Sequence, residues 1–219
     1  MIWEEMYYSK SIMNSNQLLM NTKNKLYLIA FALVPFAFSS CSSDDPVPEN
    51  DGELITDVTL TFQELDASNN PVGTPFDFTA SDAEGIEIGS TPTVETVTLA
   101  KGKKYQMTIE VYNSVAGEDI TEEISEESDE HQFYFLGSAF VGTPILTYLY
   151  DDQGGIKLGL KGLVTVAETP VSNNGNMQIL LRHALDKNYP GAENPNFTNY
   201  AQAGGESDLD IVFPVIIEE

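Results

Sequence analysis

A single cysteine, Cys41, stands among the 219 residues. No internal disulfide can form, so a folded state must rest on a hydrophobic core alone. Bases are scarce: 10 Lys and Arg face 34 Asp and Glu, a formal net charge of −24. That field repels phosphate backbones and excludes nucleic acid as a partner. Only two histidines occur, His131 and His183, so any imidazole chemistry rests on them. No apolar run approaches the roughly 20 residues that a spanning helix needs. Also missing are a GxSxG serine elbow, an HExxH pair and a glycine-rich turn that opens a helical pattern. Carboxylates are too numerous to single out a general acid and base. The expectation is that the chain is not an enzyme.

The amino-terminal quarter has a different composition. Residues 20–25 carry Lys23 and Lys25 and no acid, and the apolar run 26–38 follows, interrupted at Pro35 and closed by Ser39, Ser40 and Cys41. This is the layout of a signal peptide, 20–40, too short and wrongly flanked to be a membrane span. Residues 1–19 contain Glu4 and Glu5, which a basic leader lacks, and read as a mis-annotated extension with translation starting at Met20 or Met13. Phe38-Ser39-Ser40-Cys41 resembles the lipobox of bacterial lipoproteins, which implies that Cys41 is acylated and that membrane lipid is a partner. Residues 41–52 hold two prolines, four acids and almost nothing apolar, so they are expected to be a disordered tether. The acidic Ser43-Asp44-Asp45 also resembles the signal that sends lipoproteins of Bacteroidetes-type bacteria to the outer face of the outer membrane; a periplasm-facing anchor is the alternative. Residues 41–219 keep 7 of the bases and 32 of the acids, a charge of −25 that attracts cations.

From residue 53 onward the pattern has a period of two, the mark of half-buried strands. Val58, Leu60 and Phe62 alternate with Asp57, Thr59 and Thr61 before the turn Asn69-Asn70-Pro71, and Phe76 and Phe78 suggest a short strand. Val97 and Leu99 lead through Lys101-Gly102-Lys103 into Tyr105, Met107, Ile109 and Val111, which reads as a hairpin. Further strand segments lie at 132–136, 144–150, 157–166, 177–185 and 209–217, separated by Asp151-Asp152-Gln153-Gly154-Gly155, Asn173-Asn174-Gly175 and a turn at 190–196. Eight or nine strands without alternating helices predict one mainly β domain, 53–219: an antiparallel β-sandwich of the Ig-like, Greek-key kind. One short acidic helix is expected within 118–130, with Ile120 and Ile124 as its apolar stripe, Asp119 as its cap, and a position over one end or edge of the sandwich.

Imidazole near carboxylate is a usable ligand set for a divalent transition metal. The candidates are His131, His183 and Glu206 first, then Glu130 and Asp208. Their spacing is no metal signature, so their meeting depends on topology. The structural alternative is that His131 caps the helix C-terminus while His183, with Arg182, pairs with surface acids. The oxygen-rich loops 151–155 and 186–188 do not follow a calcium-loop pattern and read as turns. Phe133, Tyr134, Phe135, Tyr148 and Tyr150 read as core.

Ile120-Thr121-Glu122-Glu123-Ile124, Glu130-His131-Gln132-Phe133-Tyr134-Phe135, Leu181-Arg182-His183 and Gly204-Gly205-Glu206-Ser207-Asp208-Leu209-Asp210 together resemble a group of small Bacteroidetes-type lipoproteins, often labelled "type 1 periplasmic binding fold superfamily". The resemblance covers nearly all of 53–219 and carries no established activity. It implies an outer-membrane, surface-exposed lipoprotein that binds a metal or another ligand as the accessory of an outer-membrane receptor. A structural or adhesive sandwich that contacts glycan or protein without a small ligand is the alternative.

Overall fold

The computed structural model describes residues 54–86 and 90–219. The expected extension 1–19, leader 20–40, acylated Cys41 and tether to residue 52 lie outside them. Of the described residues 45% are strand and 9% helical, so the mainly β expectation holds. Among them, no helix is long and apolar enough to cross a membrane.

Two sheets form the domain. The seven-stranded sheet contains β1 (Asp57–Leu65), β2 (Phe76–Ser81), β3 (Thr93–Val94), β5 (Lys104–Asn113), β6 (Glu118–Asp119), β8 (Leu146–Tyr150) and β9 (Lys161–Val166), in the order β3-β2-β1-β5-β9-β8 with β6 on the end of β5. The four-stranded sheet contains β4 (Val97–Ala100), β7 (Gln132–Leu136), β10 (Asn174–His183) and β11 (Glu206–Glu218), in the order β4-β11-β10-β7. The pairs are antiparallel except β4 with β11, which is parallel. Alternation along β1 buries Val58, Leu60 and Phe62, and along β11 Leu209, Ile211, Phe213, Val215 and Ile217, so the inner faces of both sheets close one core.

The expected hairpin at Lys101-Gly102-Lys103 is not one. β4 and β5 lie in different sheets, and the turn is a corner: Lys101 N–H donates to the Glu218 carbonyl and Gly102 N–H to that of Ala167. Alternation reports which side chains are buried, and a strand that leaves one sheet for the other keeps the same alternation.

Helix α1 (Ile120–Glu126) begins as expected, Asp119 accepting from Thr121 N–H, and it buries Ile120 and Ile124. Its place follows from an exposed edge. β9 pairs with β5 only from Lys104 to Thr108, and beyond that end the Thr121 hydroxyl bonds both Val111 N–H (2.8 Å) and Val111 C=O (3.0 Å). The helix thereby satisfies strand groups that no neighbouring strand reaches.

All five residues of β7 are buried. Phe133 and Phe135 face the core between the sheets, while Tyr134 and Leu136 join Leu180, Leu185, Ala192 and Ala203 in a second cluster on the outer face. What covers that face is the connection 184–205, of which the sequence showed only the turns at 186–188 and 190–196; Tyr189, Phe197 and Tyr200 pack it down.

Candidate metal site

β7 and β10 are antiparallel, with Arg182 opposite Gln132. One further step along this register sets His183 opposite His131, and side chains at such positions touch. Phe133 and Leu181 point into the core, so two residues on, the histidines return to that face at the end of the sandwich. Their rings stack with centroids 4.3 Å apart and planes 16° apart. The His131 side chain is 2% exposed and that of His183 17%.

On the other side of β10 the register with β11 breaks. Leu181 is opposite Leu209 and Arg182 opposite Ser207, which leaves Asp208 as the extra residue of a bulge. A bulge re-aims a side chain. Here it brings Asp208 Oδ2 to 3.6 Å from His131 Nε2 and 3.9 Å from His183 Nδ1. Glu127 Oε2 is 3.8 Å from His131 Nδ1, and Glu130 Oε2 is 3.6 Å from His183 Nε2. Donor atoms of Glu127, His131 and His183 all lie within 4.8 Å of one another.

Four of the five candidates therefore meet: His131, His183, Glu130 and Asp208. Glu206 is opposite His183 on β11 with an exposed side chain, and the carboxylates of Glu127, Glu130 and Asp208 lie 3.6 to 3.9 Å from ring nitrogens. Glu127 was not among the candidates; it lies four residues before His131, and that spacing is the signal that could have found it. His131 also caps the C-terminal end of the helix from the turn that follows it: its N–H (3.1 Å) and its Nδ1 (3.2 Å) both donate to the carbonyl of Glu127, the residue after the last helical one. The capping role and the place in the cluster coexist in one side chain.

Arg182 departs from the surface pairing expected of it. It is buried at 6% exposure, its Nη2 donates to the carbonyls of Gly204 (2.7 Å) and Gly205 (2.5 Å), its Nη1 donates to Ser207 Oγ, and its guanidinium carbon lies 5.5 Å from the Tyr200 ring centre. Burial pushes its pKa down, and Tyr200, Asp208, Tyr134 and Glu206 act against that. The backbone it clamps is tight: Gly205 has φ +73°, and a Cβ there would lie 2.2 Å from the His183 carbonyl oxygen. Lys187, half-buried and pushed down in pKa by that burial, donates to the carbonyls of His131 (2.9 Å) and Ser128 (2.8 Å). Connection 184–205 thus grips both histidine-bearing segments.

The loop at 151–155 holds a single 3₁₀ turn, Gln153–Gly155, and that at 186–188 is a turn. Asp152 accepts from the N–H groups of Leu158, Gly159 and Lys161, and Asp186 from that of Asn188. Phe133, Tyr134, Phe135 and Tyr148 are core, and Tyr150 is partly buried, its hydroxyl donating to the Phe133 carbonyl at 2.7 Å.

These nitrogen–carboxylate distances, 3.6 to 3.9 Å, are longer than a hydrogen bond. Ligand bonds of about 2.0–2.1 Å in a tetrahedral site set neighbouring donor atoms roughly 3.3–3.5 Å apart. Asp208 Oδ2 thus stands a few tenths of an ångström beyond that spacing from each ring nitrogen. No family model, curated protein or solved structure matches the chain.

Proposed function

We propose that this chain is a lipid-anchored extracytoplasmic protein of the outer membrane that captures a divalent transition-metal ion at the end of its sandwich, as the accessory of an outer-membrane receptor. One observation carries the metal reading: the only two imidazoles in the chain, far apart in sequence, meet ring to ring with Asp208 facing a nitrogen of each. Nitrogen with carboxylate oxygen suits Zn²⁺, Co²⁺ or Cu²⁺ over the hard ions Ca²⁺ and Mg²⁺. The net charge draws cations toward the site, and the exposed Glu127 and Glu130 border it. The lipobox-like Phe38-Ser39-Ser40-Cys41 and the acidic residues behind it support the address.

The test is metal analysis of purified protein after dialysis against Zn²⁺ or Cu²⁺, paired with melting curves. One ion per chain is expected, with a stabilisation of about 2.7 kcal/mol at a hundredfold excess over Kd. His131→Ala and His183→Ala abolish both effects. No bound metal and no shift in melting temperature would sink this reading and leave the adhesive one. A stripe of exposed apolar residues on the outer face of β11, Val212 and Ile216, is what favours that second reading.

A further inference from the structure

Taking the cluster as a metal site, we infer that the ion is bound by His131 Nε2, His183 Nδ1 and the Asp208 carboxylate, that Glu127 and Glu130 orient the rings from behind, and that loading swings His183 out of its stack. Proximity alone would favour Glu127, whose carboxylate groups with both rings. Hydrogen bonding argues otherwise. His131 Nδ1 meets the Glu127 backbone carbonyl at 3.2 Å, so the ring proton belongs on Nδ1 and the coordinating lone pair on Nε2. Nε2 is the nitrogen that faces Asp208. For His183 position alone makes the division: Nε2 faces Glu130, the more exposed carboxylate, and Nδ1 faces Asp208. Asp208 Oδ2 stands 3.6 Å and 3.9 Å from a nitrogen of each ring, and its side chain is 12% exposed against 49% for Glu127 and 57% for Glu130. A partly buried acid flanked by two nitrogens is an inner ligand; exposed acids behind the rings are the usual outer partners.

The stack sets the motion. A nitrogen lone pair lies in its ring plane, and planes only 16° apart with centres 4.3 Å apart do not converge within a bond length of about 2 Å. One ring must turn. His131 is held at its Nδ1 by Glu127 and at its carbonyl by Lys187, and is the more buried of the two. His183 is the last residue of β10, and Ala184 after it has φ +53°, an uncommon backbone state for a residue with a Cβ. Such outliers cluster where a structure holds strain for a function. His183 is the ring that moves.

Because the chain has two imidazoles only, long-range ¹H–¹⁵N spectra of labelled full-length protein read both directly. Without metal, the stacked rings shift each other's protons upfield. One equivalent of Zn²⁺ is expected to move His131 Nε2 and His183 Nδ1 to coordinated values together and to remove the upfield shift. Alongside, Asp208→Asn lowers Zn²⁺ affinity at least a hundredfold, while Glu127→Gln, which keeps the backbone carbonyl, costs less than tenfold. Coordination through His131 Nδ1, or an affinity that survives Asp208→Asn and fails in Glu127→Gln, overturns the ligand assignment and leaves metal capture standing. Coordination with the upfield shift intact overturns the swing. Rings unmoved by Zn²⁺ overturn capture itself. Should Asp208→Asn not fold, the nitrogen assignment in the unaltered protein decides the matter.

Discussion

Replacing Arg182 by Met keeps the length and apolar stem of the side chain and removes its charge and its hydrogen bonds. Three acceptors lose a donor: the carbonyls of Gly204 and Gly205 and the hydroxyl of Ser207. Bonds to a charged donor are worth about 1.5–3 kcal/mol each when the acceptor is left dry. Gly204 and Gly205 are exposed, however, so water replaces much of what those carbonyls lose, and the three together come to roughly 3 kcal/mol. Loss of the guanidinium over Tyr200 adds about 0.5–1 kcal/mol. Against this, Arg182 Nε is buried with no hydrogen-bond partner in the structure, and removing it returns about 1 kcal/mol. The net is a loss of about 2–3 kcal/mol, a fall of roughly 5–10 °C in melting temperature for a domain of this size. Urea unfolding followed by far-ultraviolet circular dichroism measures it. Lysine cannot fork between two carbonyls and a hydroxyl, so Arg182→Lys recovers little. A change below about 0.5 kcal/mol in the Met variant, the range of ordinary surface substitutions, would refute the reasoning, and so would full recovery in the Lys variant.

Ile124 is fully buried under α1, and Ile124→Ala is expected to cost about 3 kcal/mol, the middle of the range for such cavities, with denaturant unfolding as the check. Burial also pushes up the phenols of Tyr105, Tyr148, Tyr150 and Tyr134, the last to about 12, against the ordinary 10. A raised phenol pKa leaves its stability contribution whole below pH 10 and removes it as pH climbs toward the folded value, since the unfolded chain releases those protons first. Stability should therefore hold to about pH 10 and fall between about 10 and 12. Tyrosinate absorbance from these groups should appear only with unfolding; appearance of all ten tyrosines' phenolate signal from a still folded chain contradicts the assignment.

The inward residues of β1, β5 and β11 were legible because each strand buries one face and alternates accordingly. The helix was legible from its cap and from Ile120 and Ile124. Pairing was not. Val97 and Leu99 alternate as well beside β11 as they would beside β5, and nothing local says that Lys101-Gly102-Lys103 turns between sheets. Connection 184–205 was missed for another reason: Tyr189, Ala192, Phe197, Tyr200 and Ala203 have no regular period, yet together they close a second apolar cluster. His131 and His183 were visible as residue types, whereas their contact depends on the partnership of β7 with β10.

That partnership shows what fixes the site. Gln132-Phe133-Tyr134-Phe135-Leu136 is buried on both faces, so a slip of one residue against β10 would still set apolar side chains on each side. Hydrophobicity alone is a weak guide to register in such a strand. The polar residues at its end are selective. Gln132 Nε2 donates to the Ala192 carbonyl (2.6 Å) and to Tyr150 Oη (2.9 Å), and opposite it Arg182 grips Gly204, Gly205 and Ser207. A slip that put His183 opposite Glu130 would take Arg182 from its acceptors or Gln132 from its own, leaving buried polar groups without partners at several kcal/mol. The same two side chains thus select the one register in which the next pair along is His131 with His183, and the bulge that Arg182 holds is what turns Asp208 toward them.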